Sequence, residues 1–151
     1  MTATGRSTSR DTAAAVPESR DVVNRRMVEL DASGDAGEVE ARLRRALDAH
    51  DLTLFARGDH AAGARKAGVE LDANVLLIFG NPSVGTPLMA ADPHVGIELP
   101  LRMLIWQDPV GTHVGYLDPR GLADRYALED QQETLERQAT VLAKVAAAAA
   151  G

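Results

Sequence analysis

The sequence predicts an α+β fold of two layers: a largely antiparallel sheet of about five strands, with two longer helices on one face. Three observations lead there. Apolar runs of strand length alternate with helix-length segments opened by capping residues, in the order β-α-β-α-β-α-β-β-α. The turn Asp108-Pro109-Val110-Gly111 has hairpin length, so the last two strands run antiparallel. Two stretches, after Asp35 and after Asp130, keep a helical apolar stripe long enough to cover a sheet.

The elements follow in order. Asp21 to Leu30 sets Val22, Val23, Met27, Val28 and Leu30 among polar residues, as a strand does. Asp35 and Glu38 have capping-box spacing, and the helix they open stripes Val39, Leu43, Ala46 and Leu47. Leu52 to Arg57 reads as a second strand. Asp59 then caps a short helix through Ala67 that Gly68 ends. Val75 to Phe79 is uninterruptedly apolar, which predicts a strand covered on both faces. Thr86-Pro87 supplies a cap and a first-turn proline for a helix stopping near Pro93. Strands are expected over Leu101–Gln107 and Thr112–Leu117, and Asp118-Pro119 opens a short helix. Asp130 and Glu133 form a second capping box, launching a helix with Leu135, Ala139, Leu142 and Val145 on one face. Its alanine run, Ala146 to Ala150, is expected to fray at the end.

A chain of 151 residues can bury about two-thirds of its unfolded surface in one core. Residues 1–20 offer little to bury and read as a disordered tail, leaving 21–151 as a single α+β domain with no internal repeat and no second hydrophobic core. Net charge is −6, and without the first twenty residues 13 basic side chains face 20 acidic ones. That balance disfavours phosphate backbones, so no nucleic-acid partner is expected. Cysteine is absent, which removes disulfides, thiolate metal sites and cysteine nucleophiles. No apolar run reaches the roughly 20 residues of a membrane span, and no secretory signal is visible. The expectation is a soluble, cytoplasmic protein.

The most constrained segment is Phe79-Gly80-Asn81-Pro82-Ser83-Val84-Gly85-Thr86-Pro87-Leu88-Met89. Two glycines, two prolines, an Asn and a Thr hold one tight connection in shape. If a helix starts after Gly85-Thr86, its amides and dipole would suit an anion, with Asn81 adding a directed amide. A turn with purely structural duties explains the same residues, and no Walker lysine follows.

These residues also carry a resemblance. Phe55-Ala56-Arg57-Gly58-Asp59-His60-Ala61-Ala62-Gly63-Ala64, Phe79-Gly80-Asn81-Pro82 and Gly85-Thr86-Pro87-Leu88-Met89 resemble the domain of unknown function 302 family, with Leu99-Pro100-Leu101, Trp106 and Tyr116 at the expected places. The likeness covers roughly Asn24 to Leu128 and departs from the family's usual apolar residue at Gly58. It implies a small α+β domain of β-α-β₄-α type, commonly paired as a homodimer. It implies no activity.

Chemistry has few candidates. Asp59-His60 could act as a general acid/base pair, although neighbours at a helix start do not face each other and a cap-plus-packing role is the plainer reading. The histidines, His50, His60, His94 and His113, lack ligand-pair spacing, so no metal and no cofactor are expected. A meeting of His60 with His94, beside Asp59 or Glu98, is the one arrangement that would change this, for a metal or for haem. Ser83 lacks a nucleophile-elbow context. Trp106 and Tyr116 are core or interface anchors, or walls of a ligand pocket.

Three functions fit. The first is a homodimer that binds a small molecule, an anionic metabolite among the candidates, through Asn81, Gly85, Thr86 and Trp106. The second is an enzyme using His60 with Asp59. The third is a structural or interaction domain. The first two need Asp59-His60 and the Asn81 bend to converge on one hollow.

Overall fold

The computed structural model describes residues 27–151. The expected tail, and residues 21–26 of the first expected strand, lie outside them. The described elements are β1 (Met27–Ala32), α1 (Ala36–Ala49), β2 (Thr53–Asp59), α2 (His60–Lys66), β3 (Asn74–Gly80), α3 (Pro82–Ala91), β4 (Leu101–Asp108), β5 (Gly111–Leu117) and α4 (Gln132–Ala150). Short 3-10 turns occupy Pro93–Glu98, Pro119–Asp124 and Glu129–Gln131. The sheet runs β1-β5-β4-β3-β2, and every neighbouring pair is antiparallel. The fold is α+β, as the patterning predicts.

The helices α1 and α4 cover one sheet face. Leu43 and Leu47 from α1 and Leu142 and Val145 from α4 pack on Leu77, Phe79, Met103, Ile105 and Val114. Each such side chain, taken from water, contributes about 1.5–3 kcal/mol. The Asp35 capping box forms as expected, with Glu38 N donating to Asp35 Oδ1 at 2.9 Å and Asp35 N to Glu38 Oε1 at 3.4 Å.

Five expectations need correction. In β3, Val75, Leu77 and Phe79 are buried, but Leu76 and Ile78 lie on the uncovered face and are half-buried, so the apolar run is not enclosed on both sides. The helix expected at Thr86-Pro87 starts instead at Pro82 with Asn81 as its cap, and Pro87 lies inside it. The second capping box does not form. The turn Glu129–Gln131 already holds Asp130 in helical geometry, and Gln131 precedes α4 without a side-chain cap bond. The alanine end of α4 is buried and held. Arg42 Nε donates to Ala149 O at 2.9 Å, and Ser33 N to Ala150 O at 2.9 Å. Finally, a satellite apolar cluster exists: Leu88, Val95, Leu122, Leu128 and Leu135. It fills the space between α3, the 3-10 turns and the start of α4.

Candidate functional site

Beside the start of α3 lies a cavity of about 630 Å³, within the roughly 300–1,000 Å³ usual for small-molecule sites. Three segments distant in sequence wall it. The end of β2 near Leu52 and Phe55 forms one side, the bend from Gly80 to Pro87 another, and α4 the third. Leu99, Pro100 and Leu101 close the floor. A register shift between Leu54 and Ala56 leaves Phe55 unpaired in the β2–β3 ladder, and this bulge re-aims its ring toward the cavity. Gly80 packs against the same ring: a Cβ there would stand 3.5 Å from the Phe55 ring and 3.4 Å from Pro100, ordinary contact distances.

The start of α3 reaches this cavity with its donors already used. Asn81 Oδ1 accepts from Ser83 N at 3.0 Å and Ser83 Oγ at 2.7 Å, while Asn81 Nδ2 donates to Asp51 O at 3.2 Å. Val84 N and Gly85 N both donate to Asn81 O. Pro82 has no N–H at all. The anion cradle expected at this bend therefore lacks free amides.

The α4 wall is different. Thr134, Arg137, Gln138 and Val141 follow the i, i+3, i+4, i+7 spacing that aligns side chains on one helix face, and all four line the cavity. Gln138 is 3% exposed, and its Oε1 has no hydrogen-bond partner among the described residues. One turn earlier, the buried Thr134 Oγ1 donates to Gln131 Oε1 at 3.2 Å. Arg137 is 69% exposed and lies 4.0 Å from Glu133, a loose pair that leaves its guanidinium available.

The structure disperses the other expected site residues. Asn81 and Gly85 line the cavity, but Thr86 and Trp106 do not. Thr86 Oγ1 donates back to Pro82 O at 2.6 Å inside the helix. In the ladder, Thr53 pairs with Gly80 and Asp59 with Val75, so Asp59-His60 and Asn81 sit at opposite ends of β2. At about 3.4 Å per residue, some 20 Å of strand separates them. Asp59 caps α2 through Ala62 N at 2.9 Å, and His60 is exposed with no side-chain hydrogen bond among the described residues. His94 Nδ1 lies 2.7 Å from Asp92 Oδ1. No group of three His, Asp or Glu suited to a metal ion occurs among the described residues.

Comparison with known proteins completes the picture. The profile of the family described as Domain of unknown function DUF302 matches residues 28–145. The chain belongs to the DUF302 family. This DUF302 chain is 34% identical over 113 residues to Fluoride-specific ion channel FluC 1 of Brucella suis, covering 74% of this chain and 44% of that protein. FluC 1 of Brucella abortus matches equally, with 42% of its length covered. The chain thus spans less than half the length of these curated relatives. The crystal structure of an uncharacterized conserved DUF302 protein from Bacillus stearothermophilus superposes with a TM-score of 0.74 at 18% identity, over 82% of this chain and 98% of the other. That likeness shows the fold. No helix among the described residues is long and apolar enough to cross a membrane.

Two features of this DUF302 chain escape a reading of the sequence. Thr134 and Gln138 had one visible signal, polar residues at i, i+4 on the edge of an apolar stripe, but the cavity they face is assembled only by the fold. On the uncovered sheet face, His113 Nε2 lies 2.9 Å from Asp108 Oδ1 and His113 Nδ1 3.1 Å from Asp31 Oδ1. Its ring stacks on Trp106 with centroids 5.2 Å apart. The Asp108 hydrogen bond raises the imidazole pKa above its ordinary 6.5, burial opposes this, and Asp31 adds to the rise. Trp106 packs over Gly115, where a Cβ would come within 3.1 Å of the indole.

Proposed function

We propose that this domain binds a small, largely apolar molecule in the cavity between the Asn81 bend and α4. The observation that carries the reading is a cavity of about 630 Å³ with an apolar lining, entered beside one unsheathed guanidinium, Arg137. An acidic group on the ligand would meet Arg137 at the mouth rather than the α3 amides. Asn81 holds the wall in place. The likeness to chains named as fluoride-specific ion channels raises fluoride as a rival ligand. A hard, strongly hydrated anion gains nothing from walls of Leu, Val, Pro and Phe, and the nearby amides are spent. We therefore favour the apolar ligand. A turnover role for His60 gains no support from a ring that is exposed and lacks a partner among the described residues.

Titration with 1-anilinonaphthalene-8-sulfonate tests the reading. The parent protein should enhance its fluorescence at a single site, and Val141→Trp, which fills the cavity, should weaken binding at least tenfold while leaving the fold intact. Equal binding by both proteins would refute it, and a thermal shift with sodium fluoride that sodium chloride does not give would favour the anion instead.

We further infer that a second copy of this chain covers the open sheet face. Leu76, Ile78 and Leu104 lie in the middle of that face, and pairing would enclose the apolar run Val75–Phe79 on its second side. Light scattering should report twice the 16.0 kDa chain mass. Leu104→Glu should return the single-chain value. A parent protein that stays at single-chain mass at micromolar concentration would end this inference.

A further inference from the structure

We propose that the ligand of this cavity is an amphipathic carboxylic acid, its carboxylate held at the mouth by Arg137 and His50 and its apolar body inside. This rests on the reading that the cavity binds small molecules, and it names their class. The chain carries 22 acidic side chains against 16 basic ones, yet no Asp or Glu among the described residues lines the cavity. The ionisable side chains that do line it, among the described residues, are His50 and Arg137. In a chain of net charge −6, a mouth without carboxylates favours an anion locally against the field of the whole.

The hydrogen-bonding groups agree with the charges. Ser83 Oγ donates to Asn81 Oδ1, Asn81 Nδ2 to Asp51 O and Thr134 Oγ1 to Gln131 Oε1, so these side-chain donors are taken. The side-chain donors left on the lining are the Arg137 guanidinium, the His50 ring and Gln138 Nε2. His50 is exposed at the C-cap of α1 and makes no side-chain hydrogen bond among the described residues. Arg137 is 69% exposed, and its pair with Glu133, itself 87% exposed, is 4.0 Å long, so a ligand carboxylate can replace it. Gln138 Nε2 has no partner among the described residues and, unlike its Oε1, keeps accessible surface. A carboxylate is an acceptor only and suits a set of donors, whereas an ammonium head would bring donors and a like charge. Further in, Leu52, Phe55, Pro87, Leu99 and Val141 take an apolar body and replace none of a charged head's hydration. The acid end therefore stays at the mouth.

Octanoate, 1-octanol and octylammonium share one chain length and differ in the head. Calorimetric titration of the intact chain at low salt should rank octanoate first, about fivefold tighter than 1-octanol, about 1 kcal/mol, with octylammonium last. Added sodium chloride should narrow the lead of octanoate and leave 1-octanol unmoved. The double variant Arg137→Gln, His50→Gln, altered only at exposed positions, should bring octanoate and 1-octanol within about twofold of each other by weakening octanoate. A full lead for octanoate in that variant overturns the assignment to these two residues. Equal binding of all three heads by the parent protein removes the acid class and leaves cavity binding in place. If none of the three binds while 1-anilinonaphthalene-8-sulfonate does, the class is wrong. If the dye fails as well, the cavity reading falls and this inference with it.

Discussion

Arg42 Nε donates to the carbonyl oxygen of Ala149 at 2.9 Å, joining the first long helix to the last turn of the other. The same guanidinium reaches Ala150 O at 3.4 Å and also bonds Ser33 O. A helix end leaves its final carbonyls without intrahelical donors, and one arginine here satisfies two of them across more than a hundred positions.

Arg42→Ala should therefore destabilise the domain by about 1–3 kcal/mol, since it strips charge-assisted bonds from part-buried carbonyls. Arg42→Lys should recover only a fraction, because one ammonium cannot fork between the Ser33 loop and the helix end. Urea unfolding followed by circular dichroism measures both. A midpoint unchanged in Arg42→Ala would mean the alanine end holds itself.

Asn81→Ala should cost about 1 kcal/mol, the usual loss for an N-cap, while Thr86→Val should stay within about 0.5 kcal/mol. Asn81 serves Ser83 and the Asp51 carbonyl, whereas Thr86 bonds back to Pro82 within the helix. The reverse ranking in denaturant midpoints would place the helix start at Thr86 after all.

That ranking bears on how much of the molecule is legible in its sequence. Both Asn81-Pro82 and Thr86-Pro87 satisfy the local rules for a helix start, and nothing between them decides. The choice is tertiary: Asn81 Nδ2 reaches Asp51, thirty positions away. The Asp35 box needed no such help, because both its partners lie in one turn. Element order was legible for the same reason. Strand pairing beyond the β4–β5 hairpin was not. Whether Asp59 and Asn81 meet depends on β2 and β3 running antiparallel in the register Thr53 to Gly80, which separates the two by a strand's length. The cavity is harder still to foresee, since Phe55, Pro100 and Gln138 come together only after the sheet and both long helices have formed.

Acidification should weaken the α1–β2 contact through Glu40. Burial raises this carboxyl's pKa, but hydrogen bonds from Arg57 and Arg44 outweigh it and hold the value below the ordinary 4.5. A depressed folded-state pKa gives stability that is present above the unfolded value and lost as pH falls through the folded one. Glu40→Gln should cost about 1 kcal/mol at pH 7 and show a flatter stability profile below about pH 4.5. Parallel profiles for parent and variant down to pH 3 would assign the acid sensitivity elsewhere.

His113 makes the opposite prediction on the alkaline side, with its own optical reporter. The imidazole is 12% exposed, lies between Asp31 and Asp108, and stacks on Trp106, the chain's single tryptophan. Its pKa is raised, chiefly by the Asp108 hydrogen bond, so its contribution to stability is complete below about pH 6.5 and is lost as pH rises through the higher folded value. Asp108 is held below its ordinary 3.8 by the same bond, so its share survives until strong acid. A stacked imidazolium quenches indole fluorescence more than neutral imidazole does. Tryptophan emission should therefore rise as pH increases, with a midpoint above 6.5 in the folded protein. Asp108→Asn should move that midpoint down, and His113→Gln should abolish the step. Emission that is flat between pH 6 and 9 in the parent protein would show that the ring is neutral throughout and that the two carboxylates do not hold a proton on it.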